Sequence, residues 1–401
     1  INKNMKHVSF LIDSFQVFGF CFLIAVLCCL LSPQQLLPQV EATGNLVTAD
    51  WLEKNLNNKD VLILDASPPQ IYTAQHIPGA ISVNLFAFGA KEMSFSEMEQ
   101  LFRSWGISSG KKIVMYDQGG TMMATRLFFS LYYYGFPAED RLILDGGLSK
   151  WQEKGLEVTN IVPADLQKGS FTIVKSNDDV RVKLPEFLSA SGDLENNVLL
   201  EALDADWHFG KVQFFGKAGH IPNAIMLPSA DFFNADKTFK SVDEIRKMLA
   251  YFDIRPEQQI NTHCGGGVAA SVPFFALKFI LNYPSVKLFA ESQLGWVSDE
   301  RELPFWTYDA PFLMRETNWL QSWGGKMLRM YGISQVSIID VRPADEFSRG
   351  HVPYSLYINA AEFKNNITDL NNLSAIMGLA GVNAIHEAVI ISGAGLTKES
   401  A

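Results

Sequence analysis

The stretch Thr262-His263-Cys264-Gly265-Gly266-Gly267-Val268-Ala269-Ala270-Ser271 holds the residue best equipped for covalent chemistry. Of the four cysteines, Cys21, Cys28 and Cys29 lie in an apolar N-terminal stretch, which leaves Cys264 with no intramolecular partner. The three glycines after it relax the φ/ψ limits and remove side-chain bulk, so successive N–H groups can turn toward one point. A helix starting at Val268 would aim its positive end at that point as well. Such surroundings favour thiolate over thiol. A free cysteine can also be no more than a small buried hydrophobe, and the glycine run is what argues for the nucleophile. His263 precedes it, but along a strand its side chain faces the opposite way, so it is expected to pack.

The elements that position this loop recur three times. VLILDAS leads to HIPGAISVN, IVMYDQGG and RLILDGGLSKW; VLLEAL leads to GHIPNAIMLP, INTHCGGG and KLFAESQLGW; VSIIDVR leads to GHVPYSLYIN and AVIISGAG. Asp65 to His76 and Asp340 to His351 both span 11 positions, and His76 to Asp117 and His351 to Ser392 both span 41, so the copies are true repeats. His220 to Cys264 spans 44, which sets Cys264 where Asp117 and Ser392 stand. Continuously apolar strands such as Ile113 to Tyr116 and Val389 to Ile391 alternate with helical runs such as Thr121 to Tyr134. This predicts an α/β fold of tandem domains, each a parallel sheet with helices on both faces. Ligands of such sheets bind off the carboxyl ends of the strands, where each Gly-rich loop falls.

Length and composition fix the frame. At 401 residues there is room for two or three domains. The expected division is an N-terminal segment 1–42, a copy without cysteine at 43–158, the copy with Cys264 at 177–305, and a third copy without cysteine at 312–401. Mixed polar and Pro/Gly stretches at Thr159–Ser176 and Glu302–Pro311 read as linkers. Only nine residues follow Ser392, against 34 from Asp117 to Trp151, so the third copy reads as truncated and the chain as part of a longer one. A net charge of -10 without a basic run argues against nucleic acid as partner. Lys3, Lys6 and His7 precede an apolar run from Ser14 to Leu31, with Val40 and Ala42 placed as a small-residue cleavage signal. Export to a periplasmic or other extracytoplasmic compartment is expected, either with cleavage or with the segment kept as a membrane anchor. A mature chain with one cysteine has no internal disulfide and no cysteine-rich zinc site.

The HIPGA turn after LDAS, the DGGLSKW closing motif and the cysteine loop ending a strand together resemble the rhodanese sulfurtransferases, over nearly all of the chain beyond Thr43. Asp117 in the first copy and Cys264 in the second resemble the tandem thiosulfate and mercaptopyruvate sulfurtransferases in particular. The resemblance implies that Cys264 is the catalytic residue. Its thiolate would take a sulfane sulfur from a small donor as a persulfide and pass it to a thiol, to cyanide or to a thioredoxin-like protein, with no metal or organic cofactor. The amides of Gly265, Gly266, Gly267, Val268 and Ala269 would hold the negative sulfur.

Two departures from the family pattern bear on substrate. Thiosulfate enzymes carry Arg and Lys after the cysteine, and mercaptopyruvate enzymes carry Gly and then Ser or Thr, whereas Gly265 and Gly266 stand here. The serine relay to Asp65 and His76 is therefore broken, and those two are expected to be structural. Family members also present Asp-x-Arg after the first strand of the active copy, where this chain has Glu201, Ala202 and Leu203. Lys217, or Lys211, could supply the missing donor-binding charge, although a lysine is a point charge and not a bidentate fork. Phe214 and Phe215 between them would form an apolar rim. Phosphatases of the same fold need an arginine six residues after the cysteine, and Ala270 stands there, which argues against phosphoryl transfer. The rival reading is a persulfide carrier or binding scaffold with little catalysis of its own.

Overall fold

The computed structural model describes residues 44–393 apart from 88–92, 165, 214, 308–316, 318–319, 321–335, 381 and 383–386. The expected export segment with its three cysteines, and Phe214 of the expected rim, lie outside the described residues. Among the described residues no helix is long and apolar enough to cross a membrane.

The first copy runs β1 (Leu46–Val47), α1 (Ala49–Asn55), β2 (Val61–Asp65), α2 (Pro69–Ala74), β3 (Ile81–Ser82), α3 (Phe95–Ser104), β4 (Lys112–Tyr116), α4 (Met123–Tyr133), β5 (Arg141–Leu144) and α5 (Gly147–Glu153). Its sheet has the order β1-β5-β4-β2-β3 with all pairs parallel. The second copy repeats this as β6 (Arg181–Val182), α6 (Leu184–Ser191), β7 (Asn197–Glu201), α7 (Ala205–His208), β8 (Ile225–Met226), α8 (Val242–Tyr251), β9 (Gln259–His263), α9 (Ser271–Phe275), β10 (Val286–Phe289) and α10 (Ser292–Val297). The order β6-β10-β9-β7-β8 is the same. In both copies the central strands are buried over four consecutive residues, which is why β2, β4 and β7 read as apolar runs, whereas β9 buries Asn261, Thr262 and His263 around Ile260. The helix before each central strand starts with the same device, a capping box between Ser94 and Glu97 and between Ser241 and Glu244.

The third copy shows β11 (Val336–Asp340), α11 (Ala344–Arg349), β12 (Leu356–Tyr357), α12 (Ala360–Asn365), α13 (Leu370–Leu379) and β13 (Glu387–Ile391) among the described residues. Its order β12-β11-β13 matches β3-β2-β4 of the first copy.

The first two copies share one core. Helices α4 and α9, which follow the Asp117 and Cys264 loops, press together with edge-to-face rings: Phe128 on Phe275 at 4.9 Å, Phe129 on Phe274 at 5.0 Å. Each such pair contributes roughly 0.5–1.5 kcal/mol beyond its burial. The Arg141 guanidinium is buried in the same seam, 4.2 Å from the Tyr132 ring and 5.0 Å from that of Phe128. The stretch read as a linker after the first copy packs as well. Thr159 exchanges backbone bonds with His76, and Phe171 and Ile173 are buried, with Arg103 Nε donating to the Phe171 carbonyl at 2.9 Å.

One expected boundary shifts. The helix after the cysteine loop starts at Ser271 and not at Val268. Gly267 lies in the left-handed region at φ +80°, and tight turns from Ser271 N–H to Val268 O and from Val272 N–H to Ala269 O follow it. Pro273, which has no N–H, fits the first turn of a helix starting there. At five residues before a π-helical turn at Ala276–Ile280, α9 is a weak dipole.

Candidate active site

Cys264 follows β9 directly, at the carboxyl end of the central strand of its sheet. The Gly267 N–H donates to its sulfur at 3.1 Å. A side chain on Gly267 would run into the backbone of Ala290, and one on Gly265 into the Phe215 ring, so both glycines are set by close approach. Gly265, Gly266, Val268 and Ala269 donate no backbone hydrogen bond to the described residues. Of the loop amides, that of Gly267 alone is seen to donate to the sulfur among the described residues. The thiol is more enclosed than the sequence leads one to expect: Cys264 is 3% exposed, with the Phe215 ring packed over the loop.

Two residues of the KLFAESQLGW segment, neither of them a candidate for chemistry from the sequence, fix the loop from the side of α10. Ser292, at φ +52° and fully buried, accepts the Cys264 N–H at 3.1 Å and donates its hydroxyl proton to the Phe289 carbonyl at 2.7 Å. Its oxygen is 3.9 Å from the sulfur, but with its one proton committed it does not donate there. The Gln293 N–H donates to the Cys264 carbonyl at 3.0 Å, and its side chain donates to Glu201 at 2.7 Å and to the Gly219 carbonyl at 3.3 Å.

The third copy explains that arrangement. There Arg342 forks onto Asp340, with its closest contact at 2.7 Å, and donates to the Gly350 carbonyl at 2.8 Å. Asp340 and Gly350 are the counterparts of Glu201 and Gly219 in the repeat. In the second copy, where Leu203 replaces that arginine, Gln293 serves the same two acceptors and His208 Nδ1 takes the other Glu201 oxygen. Burial alone would raise the Glu201 pKa, but His208 and the charges of His263 and His220 outweigh it and hold the carboxyl down at about 2. The Asp-x-Arg site has thus become a buried carboxylate–imidazole–amide cluster beneath the cysteine loop.

The remaining expected residues sort as follows. His263 is buried against the Phe187 ring with neither ring nitrogen hydrogen-bonded, a packing residue whose pKa burial pushes down to about 4. His76 is wedged between the Tyr72 and Ile161 carbonyls and stacked on the Tyr72 ring. Lys217 is exposed on the loop that carries Phe215 and makes no hydrogen bond or ion pair among the described residues, while Lys211 is paired with Asp206 at 3.1 Å.

The first copy shows what such a loop binds. The Asp117 carboxylate accepts three backbone N–H groups, from Gly119 at 2.8 Å and from Met123 and Ala124 at 3.0 Å. It is an anion built permanently into the cradle that Cys264 occupies in the second copy. The Lys237 side chain from the second copy packs over Gly119 and Gly120 and closes that site.

The family described as the rhodanese-like domain matches residues 48–154 and 325–397, the first and third copies. Those two copies are rhodanese-like domains. The chain is 28% identical over 276 residues to the 3-mercaptopyruvate sulfurtransferase of Escherichia coli, covering 64% of this chain and 95% of that one. It is 26% identical over 267 residues to a sulfur carrier protein of Thermus thermophilus, covering 63% and 93%. Among solved structures, the anaerobic ergothioneine biosynthesis enzyme of Chlorobium limicola superposes with a TM-score of 0.59 at 21% identity, over 66% of this chain and 71% of that one, a likeness of fold alone. The chain thus has its one described cysteine in the copy that the family description does not match.

Proposed function

We propose that the chain moves a sulfane sulfur from a donor of the thiosulfate or 3-mercaptopyruvate type to a thiophilic acceptor through a persulfide on Cys264. The thiolate attacks the donor's sulfane sulfur, a new S–S bond forms, and the donor's bond to that sulfur breaks with its electron pair leaving on the donor remnant, as sulfite or pyruvate enolate. The acceptor, a thiolate or cyanide, then attacks the outer sulfur and returns Cys264 as thiolate. The observation that carries this reading is the Gly267 N–H aimed at the sulfur at 3.1 Å, at the end of a central parallel strand. Glycine amides on the loop would hold the outer sulfur as charge develops, and no step requires a cofactor. The test is cyanolysis: thiosulfate or mercaptopyruvate with cyanide, measuring thiocyanate from the parent and from Cys264→Ser. Activity in the parent alone supports the reading, and equal background from both refutes it.

A second reading, a persulfide carrier that passes sulfur to a partner such as a thioredoxin-like protein, is favoured by the likeness to the Thermus sulfur carrier and by Leu203 in place of a donor-binding arginine. A carrier would take up one sulfur per Cys264 and turn over slowly with every small donor. Export, with or without retention at a membrane, is proposed from the N-terminal apolar run, and fractionation of cells expressing the full chain tests it.

A further inference from the structure

One cation that interacts with Cys264 comes from the copy that has no nucleophile. Arg126 lies in the first turn of α4 and is 5% exposed. Its neighbour Thr125 meets Ser271 at 2.8 Å between hydroxyl oxygens, and Ser271 donates to the Val268 carbonyl within the cysteine loop at 2.6 Å. The first turn of α4 is thereby fixed against the loop that holds the sulfur. Among the described residues the Arg126 guanidinium makes one long hydrogen bond, from Nη1 to Ser130 at 3.4 Å, and lies 5.2 Å from the Phe129 ring, while its Nε has no hydrogen-bond partner. No carboxylate pairs with it among the described residues. The groups whose charges act on it are Arg181, Cys264 and Tyr134. Burial, with Arg181, lowers its pKa to about 10, so it remains a cation at neutral pH.

A buried cation without an anion is unfavourable; Arg141 meets three rings, with Tyr132 at 4.2 Å, whereas Arg126 meets one, Phe129 at 5.2 Å. Arg181 has its own anion, the Glu291 carboxylate at 3.0 Å. For Arg126 the group able to supply that charge is the sulfur. We propose that Arg126, supplied by the copy without a cysteine, is the counter-cation of the Cys264 thiolate and of its persulfide. The inference rests on the sulfurtransferase reading and deepens it, because it makes the site composite: the second copy holds the sulfur and the first copy sets its charge. Arg126 is a positioning residue that acts on the ionisation of Cys264. The other charged groups of this region keep their own settings when it is changed: Arg181 with Glu291 from β6 and the start of α10, Glu201 held by His208 and Gln293, His263 against Phe187, and Lys217 exposed on the loop that carries Phe215.

The test follows alkylation of the Cys264 peptide by mass spectrometry in the full chain as a function of pH, for the parent, Arg126→Met and Arg126→Lys. An opposite charge at close range lowers a thiol pKa by about one unit or more. Arg126→Met should therefore move the profile up by about one unit and slow alkylation at pH 7 about tenfold, while Arg126→Lys keeps most of the parent rate. A folded Arg126→Met with the parent profile overturns the proposal. A second measurement needs no variant: in the parent, the rate ratio of anionic iodoacetate to neutral iodoacetamide at Cys264 should exceed that of free cysteine, and a ratio at or below it overturns the proposal. Persulfide formation with thiosulfate or mercaptopyruvate, measured in parallel, separates the two claims. Its presence with an unmoved profile rejects Arg126 and keeps the transferase, and its absence with a moved profile rejects the transferase and keeps the charge coupling.

Discussion

Replacing Gly267 by alanine should slow persulfide formation about ten- to hundredfold, while the same change one residue earlier should do almost nothing. At φ +80° an alanine carries a strain of roughly 1 kcal/mol. Its Cβ would also lie 2.9 Å from the carbonyl carbon of Ala290 and 3.0 Å from its Cα, closer than real contacts allow. Ala290 follows β10, whose Phe289 and Leu288 are fully buried, so the cysteine loop must give way instead. The Gly267 N–H then leaves the sulfur. A hydrogen bond to a charged group contributes about 1.5–3 kcal/mol, and at about 1.4 kcal/mol per decade this is the stated range of rates. At Gly266 the backbone is not left-handed, and the nearest atom to a Cβ is the tip of Leu294 at 3.3 Å, on a side chain 46% exposed and able to turn aside. Gly266→Ala should stay within about threefold of the parent, since only a flexible tip is displaced. The assay is single-turnover persulfide formation with a sulfane donor, quenched and read by mass on the Cys264 peptide, with circular dichroism to confirm folding. Equal slowing by the two variants, or a folded Gly267→Ala within threefold of the parent, would refute the cradle as the source of reactivity.

Two further outcomes follow from buried groups. Asp117→Ala removes the acceptor of three backbone N–H groups and should lower stability by about 2–3 kcal/mol in denaturant unfolding, and a loss below about 0.5 kcal/mol would mean the carboxylate is not what fills that cradle. His263, with a folded pKa of about 4 against 6.5 for a free histidine, refuses a proton that the unfolded chain accepts. Stability should therefore fall as pH drops through the window from 6.5 to 4, by up to about 3 kcal/mol, and His263→Leu should flatten that slope; an unchanged slope in the variant would place the titration elsewhere.

The copies, their parallel sheets and the place of Cys264 were legible in the sequence because they rest on local signals. Continuous apolar runs such as Ile113 to Tyr116 mark strands buried on both faces, and the 11- and 41-residue spacings repeat whatever the strands pack against, as in β13, where Ile390 is 49% exposed. The structural roles of His76 and His263 were legible for the same reason, since a turn and a strand direction fix where each ring goes. The end of the loop was not, because the left-handed turn at Gly267 delays the helix to Ser271 by a backbone choice that glycine permits but does not dictate. Nor were Ser292 and Gln293, which reach the cysteine loop from 28 and 29 residues away, or His208, which takes over the task of a missing arginine. Arg126 lies 138 positions before Cys264 on a helix whose sequence reads as ordinary core. Only the packing of α4 on α9 brings it to the seam, because the energy of a charge depends on which other charges share its low-dielectric surroundings, and residue order carries no record of that distance.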